Sequence, residues 1–165
     1  MKLLKLLPFV LLTLGFVACG DDEDENVSTN KTGTFTTLAN GIRYAEDNVL
    51  AEVSLQADEG KLTIVLDTIT ARPAYGETPA QVMTSFTLSG ITYEEADGKY
   101  SFDANIGEEA FGTMGDAVKA CKKCHVTGTL GGNKLFFTTE YKFSESAMEP
   151  LLSSTYTGTC RRKGE

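Results

Sequence analysis

From residue 33 onward, apolar and polar residues alternate with a period of two, and this alternation constrains the fold more than any other feature. In residues 49–56, Val, Ala and Leu fall on one face, while Glu, Ser and Gln fall on the other. The pattern recurs in residues 61–70, 82–93, 99–104 and 134–143, with many Thr, Val, Ile, Phe and Tyr. Because successive side chains of a strand point to opposite faces, the pattern predicts half-buried antiparallel sheet.

Turn residues separate these segments at short intervals. Asn40-Gly41 suits a two-residue hairpin because both residues tolerate positive φ. Asp58-Glu59-Gly60, Asp97-Gly98 and Gly131-Gly132-Asn133 are further turn signals. About eight short strands with turns between them predict an all-β fold, either a sandwich or an up-and-down barrel. We favour the antiparallel barrel because it removes the exposed sheet edges that invite aggregation.

One segment departs from the alternation. Residues 107–124 contain good helix formers, and Ala117, Ala120, Cys121 and Cys124 recur at helical spacing. The sequence therefore predicts one short helix between the strand that ends near residue 104 and the strand that begins near residue 126.

The N-terminus has the features of an export signal. Lys2 and Lys5 precede an apolar run over residues 6–17, and Ala18-Cys19-Gly20 follows it. The run is shorter than the roughly twenty residues that cross a bilayer, and a cysteine stands at the expected cleavage point. This arrangement resembles a lipoprotein signal. It predicts a signal peptide over residues 1–18 and lipidation of Cys19.

Five acidic residues, 21–25, follow this cysteine and resemble the surface-export signal of Bacteroidetes lipoproteins. Residues 19–32 are then an acidic flexible tether, and residues 33–165 form the barrel domain. The expected location is the outer membrane, exposed at the cell surface. A solvated spacer is the simpler use of the acidic run and is compatible with the export signal.

Charge limits the partners. The net charge is −8, and loss of Lys2 and Lys5 with the signal lowers it by two, to −10. Phosphate recognition rests on clustered Lys and Arg, so nucleic acid is excluded as a partner. We expect a monomer that meets the membrane only through its lipid anchor. We also expect no cofactor or metal and no enzyme activity, because the single histidine, His125, leaves no second imidazole for a catalytic or zinc site.

Three cysteines remain once Cys19 is lipidated, and an exported chain meets an oxidising compartment. We predict that Cys160 is bonded to Cys124 or Cys121, with Cys124 favoured because it lies nearer the strand-like residues 126–130. A bridge between Cys121 and Cys124 stays open as the alternative, and it would favour a redox role.

Cys121-Lys122-Lys123-Cys124-His125 also fits the attachment motif of c-type haem, in which two thiols bond the haem and the histidine ligates iron. The alternative function is therefore a monohaem electron-transfer protein, with Met114 or Met148 as a candidate sixth ligand. The strand-like residues 126–159 speak against it, because a cytochrome continues with helices. A structural zinc at these cysteines would need a fourth ligand.

Inward-facing aromatic side chains have two possible uses. They could line a ligand cavity or simply fill the interior, and filling is favoured because an eight-stranded barrel has room for little besides side chains. The candidates are Phe86, Tyr100, Phe102, Phe137, Tyr141 and Phe143.

Several stretches resemble the calycin-like β-barrel lipoproteins of Bacteroidetes. They are NVLAEV (48–53), EGKLTIVL (59–66), FTLSGI (86–91), VTGTL (126–130) and GNKL (132–135). The resemblance covers roughly residues 33–159 and implies a surface-anchored barrel with a non-catalytic binding or accessory role. It brings no catalytic residues. The chain has no Trp and so lacks the Gly-x-Trp element of lipocalins. A small apolar or glycan-derived compound is the expected ligand class.

Overall fold

The computed structural model describes residues 33–39, 41–73, 81–114 and 117–163, most of which lie in strands. The predicted all-β class is confirmed. The predicted signal peptide, Cys19 and the tether lie outside the described residues. Two single-turn 3-10 helices, Ala57–Glu59 and Gly107–Glu109, separate strands. The twelve strands are β1 (Gly33–Ala39), β2 (Ile42–Val49), β3 (Ala51–Gln56), β4 (Lys61–Pro73), β5 (Gln81–Thr92), β6 (Glu94–Ala96), β7 (Lys99–Asn105), β8 (Ala110–Met114), β9 (Ala117–Ala120), β10 (Lys123–Gly131), β11 (Lys134–Lys142) and β12 (Leu152–Arg162).

Strands that neighbour each other in the sheet are mostly neighbours in the sequence. The hydrogen-bonded order is β6-β7-β10-β11-β12-β1-β2-β4-β5-β8-β9, and β1 pairs antiparallel with β12. β3 lies off this path and pairs antiparallel with β4 and parallel with the end of β12. Over the described residues the path ends at β6 and β9, so the sheet is not hydrogen-bonded into a closed ring.

The predicted turns join the predicted strands. β1 and β2 form a two-residue hairpin in which Ala39 pairs with Ile42, and Gly41 has φ 77°. Asp97 and Gly98 both have positive φ, 53° and 71°, as a tight hairpin turn between β6 and β7 requires. The hairpin predicted around residues 58–60 is confirmed by the antiparallel pairing of β3 with β4.

The predicted helix over residues 107–124 is wrong. A single 3-10 turn, Gly107–Glu109, is followed by β8 and β9, which pair antiparallel with each other. β8 also pairs with β5 through Phe86↔Gly112 and Leu88↔Ala110. Pairing with an exposed strand of the sheet therefore overrides the modest helical preference of an Ala-rich segment.

Two connections, residues 106–109 after β7 and residues 121–124 after β9, lie side by side, and we call them the seam. The Ile106 N–H donates to the Cys124 carbonyl over 2.9 Å, and the Cys121 N–H donates to the Ala110 carbonyl over 2.8 Å. The Lys122 N–H donates to the carbonyl of Lys142 over 2.8 Å. The seam thus contacts β8, β10 and β11 through backbone hydrogen bonds beside β9, one end of the strand order.

Alternation places one side of each strand in a continuous core. In β11, Leu135, Phe137, Thr139 and Tyr141 are buried, while the residues between them are exposed or half-buried. The shared face predicted for this strand is confirmed, and the core lies on the inner side of the curved sheet.

Candidate functional site

The predicted interior aromatics pack against one another. The ring centroids of Phe86 and Tyr141 lie 5.4 Å apart, those of Tyr141 and Phe143 5.6 Å apart, and those of Phe137 and Tyr156 5.7 Å apart. These distances are typical of packed aromatic pairs, so the rings fill the interior rather than line an open cavity. Of the six candidates, Phe86, Phe102, Phe137 and Tyr141 are buried, and Tyr100 and Phe143 are half-buried.

A small polar network lies beside these rings. Ser154 Oγ is 3.0 Å from Thr37 Oγ1 and 3.3 Å from the Tyr141 hydroxyl, and the Thr37 hydroxyl donates to the Ser153 carbonyl over 3.1 Å. Burial raises the pKa of Tyr141, and the hydrogen bonds of Ser154 and Thr37 offset part of that rise. Tyr141 therefore remains a neutral phenol that contributes a hydroxyl to the interior.

Cys121 and Cys124 lie together at the seam with their side chains in the interior. Their exposed fractions are 0% and 3%, and the two thiols share a hydrogen bond. That hydrogen bond lowers the pKa of Cys121, against the opposing effects of burial and of the Glu149 charge. The same hydrogen bond, together with burial, raises the pKa of Cys124. One sulfur of the pair is thus favoured as thiolate and the other holds its proton.

Cys160 lies at the opposite end of the sheet, which contradicts its predicted bridge to Cys124 or Cys121. Cys124 pairs with Tyr141, whereas Cys160 follows Thr159, the partner of Lys134. Tyr141 and Lys134 are seven residues apart on β11, roughly 23 Å at the rise of a strand. A disulfide requires Cα atoms within about 7 Å. In this structure Cys121, Cys124 and Cys160 are in the reduced form.

The geometry around His125 does not suit covalent haem. Cys124 and His125 are consecutive residues of β10, so their side chains point to opposite faces of the sheet. His125 Nε2 lies 2.7 Å from Asp103 Oδ1 on the outer face, while both thiols point inward. Two thiols and an axial histidine cannot reach one porphyrin from opposite sides of a strand. This geometry is evidence against the haem alternative.

The described residues also give no support to the candidate sixth haem ligands or to a zinc site. Met148 is 92% exposed in the loop after β11, and the side chain of Met114 lies outside the described residues. Within residues 33–39, 41–73, 81–114 and 117–163, no three His, Cys, Asp or Glu side chains converge to hold a metal ion.

A cleft of about 440 Å³ opens where β5 and β7 separate. β6 pairs with β7 only from Glu94↔Ser101 to Ala96↔Lys99. The cleft lies where this pairing stops, between the junction of β5 with β6 and residues 101–103 of β7. It combines two aromatic rings, two carboxylates and three hydroxyl groups. Its lining residues are Thr92, Tyr93, Glu94, Ser101, Phe102 and Asp103.

Of these lining residues, the sequence analysis selected only Phe102. The local sequence indicates only weakly that Tyr93, Ser101 and Asp103 belong to a site. The one sign is that the alternation of apolar and polar residues is interrupted between β5 and β6. The pairing partner of each strand, which decides whether a gap opens, is not encoded in that local pattern.

Comparisons with protein families, with curated proteins and with solved structures find no match for this chain. Over the part of the chain that the structure describes, no helix has the length and apolar character needed to cross a bilayer.

Proposed function

We propose that the domain is an antiparallel up-and-down barrel of the calycin type, closed at the seam by contacts other than strand pairing. The sequential strand order and the β1–β12 pair support this, because they join the described strands into one continuous path whose ends are β6 and β9. Phe143 adds a contact across the seam. A Cβ built on Gly112 of β8 would lie 3.1 Å from Phe143 Cζ.

We infer that this barrel is a non-catalytic binding module of a surface-anchored lipoprotein, and the cleft between β5 and β7 is the observation that carries the inference. Ligand sites are concave and combine aromatic surface with a few polar groups, as this cleft does. A catalytic role has less support. The chain's one histidine faces away from the two buried thiols, so no thiol–imidazole pair forms among the described residues.

The chemistry of the cleft favours a neutral, hydroxyl-rich ligand of the glycan class over an apolar one. The side-chain oxygens of Glu94 and Asp103 accept hydrogen bonds, which suits sugar hydroxyls and disfavours anionic ligands. The Tyr93 ring supplies an aromatic surface, and its position is fixed by an edge-on contact with Tyr100 at 5.2 Å. The net charge of −8 also opposes acidic sugars.

Replacing Tyr93 by alanine is expected to weaken binding of neutral oligosaccharides by about tenfold, the loss of one aromatic contact. The measurement is binding of the protein to an array of neutral and acidic oligosaccharides, followed by calorimetry with the best neutral ligand. Acidic oligosaccharides should bind more weakly than their neutral counterparts.

Phe136→Ala is the matched control because Phe136 is also a half-exposed aromatic residue but lies on β11, outside the cleft. It should leave the affinity unchanged. Equal losses in Tyr93→Ala and Phe136→Ala, or no binding to any neutral oligosaccharide, would refute the assignment of the ligand to this cleft.

Cys19→Ser is expected to move most of the protein from the membrane fraction to the soluble fraction. The physical reason is loss of the acyl chains, each of whose buried CH₂ groups contributes about 0.8 kcal/mol to membrane attachment. Cell fractionation followed by immunoblotting measures this. Unchanged partitioning would rule out the lipid anchor.

A second variant separates attachment from surface display. Substituting residues 21–25 by Asn and Gln removes the acidic run and keeps Cys19. We expect this protein to stay in the membrane fraction but to become protected from protease added to intact cells. Continued digestion would mean that the acidic run is only a solvated spacer.

A further inference from the structure

We propose that Cys121 and Cys124 form an intramolecular disulfide in the mature protein and that Cys160 remains a thiol. This is a modification site distinct from the ligand cleft. This inference rests on the proposed export in one respect, because export takes the protein to a compartment that supplies the oxidant. The geometry that brings the two sulfurs together belongs to the folded domain itself.

The backbone on both sides of the pair is fixed in a position that brings the sulfurs together. The Cys121 N–H bonds to Ala110 of β8, and the Cys124 carbonyl accepts from Ile106. Cys124 also lies in register with Tyr141 in the β10–β11 pair. Both side chains are buried, and the two thiols share a hydrogen bond, which places the sulfurs close to each other.

Cys160 is excluded as a partner by its place in the fold. Its N–H donates to the Asn133 carbonyl over 2.8 Å, at the turn between β10 and β11. Cys124 lies at the other end of β10. Of the three cysteines that remain after lipidation, only Cys121 and Cys124 are close enough to bond, which accounts for the odd number.

The reaction is thiol–disulfide exchange with a disulfide-bearing oxidant, either a small disulfide or an exported dithiol oxidase. The Cys121 thiolate attacks one sulfur of that disulfide and displaces the other as a thiolate. Cys124 then loses its proton and attacks the Cys121 sulfur, which releases the second thiol of the oxidant. The protein loses two electrons and two protons, and the oxidant's disulfide becomes two thiols.

The position of the bond gives it a structural consequence. The seam adjoins β9, one end of the strand order, and the bond would fix the chain between β9 and β10 against β10 itself. Because both sulfurs are buried, exchange is expected during folding rather than in the finished protein, and the finished bond should resist reductants.

The test uses the full chain with Cys19→Ser, so that Cys121, Cys124 and Cys160 are its only cysteines. The protein is reduced, unfolded, refolded in a glutathione buffer, alkylated and digested with trypsin without reduction. Lys122 and Lys123 lie between the two cysteines, so trypsin cuts inside the loop that the bond closes. We expect peptide 120–122 to be disulfide-linked to peptide 124–134, with Cys160 alkylated.

Three free thiols, a link that includes Cys160, or stable glutathione adducts on Cys121 would each overturn the proposal. Cys160→Ser is the control and should leave the linked peptides unchanged, whereas Cys124→Ser should abolish them. Refolding with a reductant kept present, so that the bond cannot form, should lower the Tm by roughly 5 °C, as expected for a short closed loop.

This experiment needs neither export nor an anchor. A bridge that forms here in a protein whose Cys19 variant stays in the membrane fraction would refute the anchor alone. Three free thiols in a protein that Cys19→Ser does release would refute the bridge alone.

Discussion

Phe86→Ala is expected to destabilise the domain by about 4 kcal/mol, the cost of removing a fully buried phenyl ring from a packed core. Phe86 is 0% exposed, and its ring lies 5.8 Å from that of Phe35 and 5.4 Å from that of Tyr141. It thus connects strands on both sides of the interior. A domain of this size has only about 5–15 kcal/mol of stability, so this loss removes a large part of it.

Urea unfolding of the chain carrying Cys19→Ser measures the effect. The unfolding midpoint should fall by roughly 2 M or more, given the usual slope for a small domain. Phe136→Ala removes the same side chain at a position that is 43% exposed and should shift the midpoint by less than a quarter of that. Similar shifts in the two variants would show that the aromatic rings are not packed as described.

The strands and turns were predictable because their signals are local. Alternation identified the faces of β11, and Asp97-Gly98 identified a turn that requires positive φ at both residues. The helix over residues 107–124 was predicted wrongly because a local pattern cannot include the edge of β5 with which β8 pairs. Tertiary pairing decided the structure of that segment.

The sites depended on register, which the sequence does not contain. The predicted Cys124–Cys160 bridge assumed that a closing strand brings Cys160 beside the start of β10. The observed register instead pairs Lys134 with Thr159 and leaves Cys160 at the far end. Register also bears on the haem motif. In a helix Cys124 and His125 could have approached one group, but as neighbours in a strand they face apart.

The cleft could not be predicted because it forms where the pairing of β6 with β7 stops. β6 pairs with β7 over three residue pairs, whereas β5, which precedes β6 in the chain, pairs with β8. Tyr93 and Asp103 are 10 residues apart in the sequence and belong to one cleft only because of this change of pairing partner. The alternation assigns each of them to a face but cannot tell which strand edges stay open.

Gly128→Ala is expected to destabilise the domain by about 3 kcal/mol, although it adds a single methyl group. Gly128 lies in the middle of β10 and pairs with Phe102 on one side and Phe137 on the other. A Cβ there would lie 2.3 Å from the Phe136 carbonyl oxygen and 2.6 Å from the Phe102 ring. The first contact is with backbone, so relief requires β10 and β11 to move apart and lengthens their hydrogen bonds.

Gly131→Ala is the matched control on the same strand. Its Cβ would meet only Lys99 Cγ, at 3.7 Å, which is an ordinary van der Waals contact. Because the new methyl group also restricts the unfolded chain, this variant should be neutral or slightly stabilising. Thermal unfolding should therefore separate the two alanines by roughly 10 °C. Equal Tm values would mean that the β7–β10–β11 register is not the one described, since that register alone places the Phe102 ring over Gly128.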